Sequence, residues 1–263
     1  MSVTLHNRAK ERLEAGELSI GLGLRLARTV EIGRVLDTCG YDWAFIDMEH
    51  NTMGIDTAVQ IAVACQDAGV TPLVRVPGYE HYLASRVLDG GAMGIVFPHV
   101  ETAEQAAQLV SYCKYPPVGH RSAAGAMPQL NFRPVPSAEA TRVVNENTLV
   151  VIMLETPKGI ANAAEIAAVP GVDVLLIGCN DLCMEMGIPA QFADPKLEQA
   201  IATTVAACHA NGIHPGYGGV YDEAVSQKFI SMGMRFILSG GDLPMLMKSA
   251  TERANFLKGI KLK

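Results

Sequence analysis

The sequence predicts a (β/α)8 TIM barrel of the α/β class, folded as a single domain over residues 1–263, and three observations carry that expectation. Eight short apolar runs recur along the chain, each followed by a helix-like stretch. The runs are continuous rather than alternating, as in strands of a parallel sheet buried on both faces. The G-x-G-x-x-G turn that opens a doubly wound sheet is missing after the first run, which sets the barrel ahead of that alternative.

In chain order, SIGLGLRL (19–26) and WAFIDME (43–49) are the first two predicted strands, and DTAVQIAVACQDAG reads as the helix that follows them, closing on glycine. TPLVRVP (71–77) and GIVFPHV (94–100) are strands three and four, and TAEQAAQLVSYCK is the next helix. The longest interval between strands then follows, carrying YPPVGHRSAAGAMPQLNFRPVPSAEA with Arg121 and Arg133. Its Pro and Gly content predicts an irregular insertion between strands four and five, a lid or a partner contact. LVVIMLE (149–155), helix-like KGIANAAEIAAV and VDVLLIG (172–178) supply the fifth and sixth βα units, with KLEQAIATTVAACHANG as the next helix. HPGYGGV (214–220), the helical pattern YDEAVSQKFISMG and FILSGGD (236–242) complete the eight.

Of the 263 residues, 49% are hydrophobic and 18% charged, with a net charge of −6 from 21 basic and 27 acidic side chains. An acidic chain without a basic run argues against nucleic acid or a membrane surface as partner, because both are bound through clustered Lys and Arg. The charged fraction lies below the roughly 25% usual for soluble domains, which suggests surface covered by other subunits. No run approaches the roughly 18 apolar residues of a membrane span, and the polar start MSVTLHNRAKERLEAGELS predicts a cytoplasmic protein. The six cysteines are too dispersed for a disulfide framework and read as small buried hydrophobes.

In such barrels the chemistry sits where strands end. Strand two ends in Asp47, Met48, Glu49 and His50, strand three in Arg75, strand five in Glu155, and strand six runs through Cys179 and Asn180 to Asp181. Glu155 and Asp181 are one βα unit apart, so their oxygens face a common point on adjacent strands. Two carboxylates with water form a hard oxygen site suited to Mg²⁺, Mn²⁺ or Co²⁺. A 2-oxo acid would complete the shell, the metal would polarise its carbonyl and stabilise an enolate, His50 would be the base and Arg75 would hold the oxyanion, with Arg121 as a second receiver of anionic substrate. None of the nine lysines lies in a predicted strand, and Lys158 reads as a first-turn residue, so Schiff-base chemistry is disfavoured.

With these residues in place the sequence resembles the HpcH/HpaI family of metal-dependent pyruvate aldolases, which includes aldolases of 4-hydroxy-2-oxo acids and of 2-keto-3-deoxy sugar acids. The resemblance runs from GLGL (21–24) to the last helix and rests on GYDWAFIDMEH (40–50), LVRVP (73–77), YPPVGHR (115–121), LET (154–156) and GVDVLLIGCNDLCMEMG (171–187). It implies His50 as catalytic base, Arg75 as the stabilising arginine, and Asp89 as the carboxylate that raises the basicity of His50. It also implies Glu155 and Asp181 as metal ligands, and Asn180 where a backbone amide binds the oxo-acid carboxylate. The reaction implied is reversible cleavage of a 4-hydroxy-2-oxo acid to pyruvate and an aldehyde, by a homohexamer built as a trimer of dimers that exchange the last helix.

Two departures from the family pattern stand out. Met153 occupies the position where the family usually has a substrate-contacting Gln, and a thioether cannot donate that hydrogen bond. Asn51 and Thr52 follow His50 where Ala-Pro is common, and Cys179 replaces a usual Pro. Both predict changed walls around an unchanged metal pair, hence family chemistry with altered substrate preference. The alternatives are an acyl-CoA lyase of the citrate-lyase type, which calls for a basic patch or for backbone amides at GYGGV and SGGD to hold phosphates, and a silent oxo-acid-binding homologue.

Overall fold

Eight parallel strands close on one another in chain order: β1 (Ser19–Leu24), β2 (Trp43–Asp47), β3 (Thr71–Arg75), β4 (Gly94–Phe97), β5 (Leu149–Leu154), β6 (Val174–Gly178), β7 (His214–Gly218) and β8 (Phe236–Gly241), with β8 pairing back onto β1. The computed structural model describes residues 4–262. This is the (β/α)8 barrel that the run pattern predicts, each strand starting within or at its apolar run. The runs outlast the strands because their polar tails turn into loops. Asp47 and Arg75 are the last residues of their strands, and Glu155 lies just beyond β5.

Among the described residues twelve helices surround the barrel: α1 (Arg8–Glu14), α2 (Ile32–Thr38), α3 (Ile55–Asp67), α4 (His81–Asp89), α5 (Ala103–Cys113), α6 (Ser137–Asn147), α7 (Pro157–Ala161), α8 (Ala163–Ala167), α9 (Cys179–Glu185), α10 (Pro195–Asn211), α11 (Glu223–Ser231) and α12 (Asp242–Lys258). The single helix expected over KGIANAAEIAAV is two short ones. Asn162 interrupts it and donates its side-chain amide to the Glu101 carbonyl at 2.8 Å instead of continuing the turn.

Two cores follow from the strand alternation. Inward-facing Trp43, Phe45, Leu73, Val96, Val151, Met153, Leu176 and Phe236 fill the barrel, with Trp43 stacked on Phe236 at 4.1 Å between centroids. Ala9 and Leu13 of α1 join this cluster from the end where the strands begin. Outward-facing Ile46, Val74, Ile95, Val150, Ile152, Leu175 and Ile177 pack under the helices. Burial on both faces is why the runs read as continuous.

The insertion between β4 and β5 is not a lid over the barrel mouth. Its loop and the short 3-10 turn Pro128–Leu130 pack with α6 around Tyr115, Met127, Leu130, Ala140 and Val144, and Gln129 caps the Leu88 carbonyl and the Ala92 carbonyl (3.0 Å) just before β4 begins. Asn145 locks the start of the loop by accepting from the Tyr115 amide (2.7 Å) and donating to its carbonyl (3.0 Å). These tethers hold it against the end of the barrel opposite the strand C-termini. No helix among the described residues is long and apolar enough to cross a membrane.

Candidate active site at the barrel mouth

Asp47 and Arg75 end neighbouring strands in register, which sets their side chains abreast at the C-terminal end of the barrel. The Arg75 Nε donates to Asp47 Oδ1 (3.0 Å) and Nη2 to Oδ2 (2.8 Å), a bidentate pair, while Nη1 forms an ion pair with Glu49 Oε2 at 2.8 Å. Phe45, one layer below, lies 5.0 Å from the guanidinium carbon. Burial alone would push the Asp47 carboxyl up. The Arg75 hydrogen bonds and charge, with the His50 and Glu49 amides, outweigh it and hold the group below the ordinary carboxylate range. Burial likewise works against the Arg75 charge, and Asp47, Glu49 and Glu155 more than restore it.

Asp47 also shapes the turn that carries His50. Its Oδ1 accepts from the amides of Glu49 (3.0 Å) and His50 (3.2 Å), so strand two bends sharply and delivers the imidazole to the mouth. The imidazole is about half exposed, with Nε2 3.9 Å from Glu49 Oε2. The His50 carbonyl accepts from Arg25 Nε (3.1 Å) and Nη2 (2.7 Å).

Glu155 is 1% exposed, and its Oε2 accepts from the His99 amide at 2.8 Å. His99 has a left-handed backbone (φ 54), which aims that amide at the carboxylate, and its Nδ1 lies 3.4 Å from the same oxygen. On the next strand Gly178 makes room, since a Cβ there would stand 2.4 Å from Glu155 Oε1. Burial pushes the Glu155 carboxyl up to about 7; the His99 amide pulls it down and the neighbouring Asp181 carboxylate raises it. Asn180 and Asp181 come from the first turn of α9, directly after β6, and line the same pocket.

The pocket bounded by these residues is a cavity of about 160 Å³ with Met153, Phe45 and Leu238 beneath it. It thus unites His50, Arg75, Met153, Glu155, Asn180 and Asp181. It does not include Asp89. That residue ends α4 and accepts from Arg121 Nη2 at 2.7 Å, so the expected pairing of Asp89 with His50 is not made within the chain, and Glu49 is the carboxylate beside the imidazole. Arg121 is likewise no substrate receiver. It is 2% exposed, paired with Asp89 and stacked over the Tyr115 ring at 4.6 Å. Among the described residues no lysine lines the cavity, and Lys158 pairs with Glu101 at 3.0 Å on the surface.

The donor set suits a hard divalent cation. Two carboxylates face one cavity, one of them buried deeply enough to resist ionisation, and a cation between them would remove both the desolvation and the like-charge penalty. Among the described residues no third His, Cys, Asp or Glu converges with them, so the remaining coordination would fall to substrate and water oxygens. Glu49 was visible in the strand-end motif but given no role. Arg25 and His99 were missed, because each reaches the site through a loop backbone rather than a strand register.

Comparison with known proteins places these residues in context. The model of the HpcH/HpaI aldolase/citrate lyase family matches residues 27–249. The chain is 39% identical to a 4-hydroxy-4-methyl-2-oxoglutarate aldolase of Hapsidospora irregularis over 99% of this chain and 98% of that protein. It is 33% identical to a hydroxypyruvate/pyruvate aldolase of Paraburkholderia phytofirmans, over 95% and 97%. Among solved structures, an HpcH/HpaI aldolase from Desulfitobacterium hafniense superposes with a TM-score of 0.92 at 28% identity, covering 97% of this chain and 98% of the other.

Proposed function

The chain belongs to the HpcH/HpaI aldolase/citrate lyase family, and from that premise we propose that the mouth pocket cleaves a 4-hydroxy-2-oxo acid into pyruvate and a carbonyl acceptor by an acid–base aldol mechanism. The protein is an aldehyde-lyase of the aldolase class, a carbon–carbon lyase. The observation that carries the mechanism is the convergence of Glu155, Asp181, Arg75 and His50 on one small cavity with no lysine in its wall.

In the cleavage direction His50 takes the proton from the C4 hydroxyl. The C3–C4 bond breaks, C4 becomes a carbonyl, and the bonding electron pair remains on the three-carbon fragment, where a proton returned to C3 completes pyruvate. Arg75 is held by Asp47 and Glu49 with its fork fixed, so it offers a preorganised positive charge to developing negative charge at no reorganisation cost. The Asn180 backbone amide, at the start of α9, binds the oxo-acid carboxylate. Glu155 and Asp181 would hold the divalent metal, Mg²⁺, Mn²⁺ or Co²⁺, which when bound would supply Lewis-acid stabilisation of the developing negative charge. The apolar floor of Met153, Phe45 and Leu238 excludes water from beneath the reacting carbons.

The assembly is a homo-oligomer, a hexamer built as a trimer of dimers. What supports this is α12, which buries none of its residues against its own chain and exposes Leu246, Met247, Phe256 and Leu257. Six unpaired thiols suit a cytoplasmic setting.

Mn²⁺ titration followed calorimetrically, together with pyruvate release from 4-hydroxy-2-oxo acids, tests this reading. Glu155→Gln and Asp181→Asn should each weaken Mn²⁺ binding at least tenfold and lose activity. Unchanged Mn²⁺ affinity in both variants would move the metal elsewhere, and borohydride trapping of pyruvate on Lys158 would replace the mechanism altogether.

A further inference from the structure

The barrel mouth is asymmetric. Asp47, Arg75, Glu155 and Asp181 stand on the side where β2, β3, β5 and β6 end. The opposite side, where β7, β8 and β1 end, is lined by Gly218, Gly240, Gly241 and Gly23, which bring no charged side chain to the cavity, with Leu238 beneath them. Tyr221, Pro244 and Arg25 line the cavity on this same side.

Arg25 is anchored in a way that leaves it free to bind. The Asp242 carboxylate, at the start of α12, accepts from the backbone amides of Arg25 (3.0 Å), Leu26 (2.9 Å) and Ala27 (2.7 Å), which fixes the loop after β1. The Arg25 Nε and Nη2 donate to the His50 carbonyl and Nε also lies 3.7 Å from Asp47 Oδ2, while no hydrogen bond or ion pair of Nη1 is seen among the described residues. Arg75, the other arginine of the cavity, has all three guanidinium nitrogens turned to Asp47 and Glu49. An anion entering the glycine side therefore meets one cation with an uncommitted nitrogen. That cation is half exposed, so engaging it costs less desolvation than a buried charge would.

We propose that Arg25 is the specificity-determining residue for the acceptor half of the substrate: it receives a second carboxylate, carried on C4, so that the preferred substrates are 4-hydroxy-2-oxo dicarboxylates. The donor half occupies the metal side with Arg75, and the acceptor half occupies the glycine side under Arg25. This rests on the aldol-cleavage reading above.

Two substrates differing only at C4 separate the possibilities: 4-hydroxy-4-methyl-2-oxoglutarate, with a carboxylate there, and 4-hydroxy-4-methyl-2-oxopentanoate, with a methyl. Pyruvate release, two per turnover from the first (both halves are pyruvate) and one from the second (the other half is acetone), gives kcat/KM for each, and the quantity read is their ratio in the wild-type protein and in Arg25→Leu and Arg25→Lys. The wild-type protein should favour the dicarboxylate, and Arg25→Leu should lower the ratio about 30-fold, the loss expected for one charge-assisted pair, chiefly through KM. Arg25→Lys should restore part of it. If Arg25 only steadies the His50 loop, both substrates slow together and the ratio stays put, which overturns the proposal. A wild-type protein that exchanges the C3 protons of pyruvate yet does not favour the dicarboxylate overturns the proposal and leaves the lyase reading standing; one that does neither overturns both.

Discussion

Arg75 spends its fork on Asp47 and Glu49, and Asp47 in turn ties down the amides that aim His50, so one carboxylate positions both the stabilising charge and the base. Asp47→Asn should therefore cost about 2–3 kcal/mol of stability and a large part of kcat, since the Arg75 charge loses a partner in a buried place. The pH dependence carries a sign. The native carboxyl lies below its ordinary range, so its contribution to stability is fully present above about pH 4 and is lost as pH falls through the lower native value. Urea denaturation between pH 2.5 and 7 should show a steeper acid decline in the wild-type protein than in Asp47→Asn; parallel curves would contradict the assignment. Met153→Gln tests the floor. An amide set among Phe45, Leu238 and Leu176 gives up apolar packing, so the urea midpoint should fall by the equivalent of about 1–3 kcal/mol, while its place in the wall of the cavity should change KM. These residues were legible because strand ends expose chemistry in sequence order. Asp89 was less legible: residue type and spacing cannot tell that this helix end pairs with Arg121 rather than with His50 of the same chain.

At the scale of elements, adjacent strands govern the metal pair. Gly178 on β6 is the recess into which Glu155 of the neighbouring strand end fits, and its backbone is one any residue can adopt (φ −81). Gly178→Ala should therefore fold but push the carboxylate aside, weakening Mn²⁺ at least tenfold by calorimetry; wild-type affinity would show that the recess is not needed. All eight strands were legible, since burial on both faces forces unbroken apolar runs. What joins them was not. The split at Asn162, the left-handed turn at His99 and the course of the insertion depend on hydrogen bonds between segments far apart in sequence, such as Asn162 to Glu101 and Gln129 to Leu88.

At the scale of the whole molecule α12 stands apart: none of its residues is buried among the described residues, and Leu246, Met247, Phe256 and Leu257 are exposed. Leu246→Glu leaves the barrel core untouched and should shift the sedimentation coefficient from that of the proposed hexamer toward smaller species; an unchanged boundary would take α12 out of the interface. The same helix begins with Asp242, which clamps the loop bearing Arg25, so loosened assembly should also raise KM for dicarboxylate substrates. The central claim, that His50, Arg75, Glu155 and Asp181 together generate the carbanionic form of pyruvate in the presence of a divalent metal, needs no knowledge of the acceptor. Proton NMR of pyruvate in D₂O with Mg²⁺ or Mn²⁺ should show loss of the C3 methyl signal at a rate that depends on both protein and metal and is abolished by Glu155→Gln. A methyl signal that persists with metal present would contradict the account.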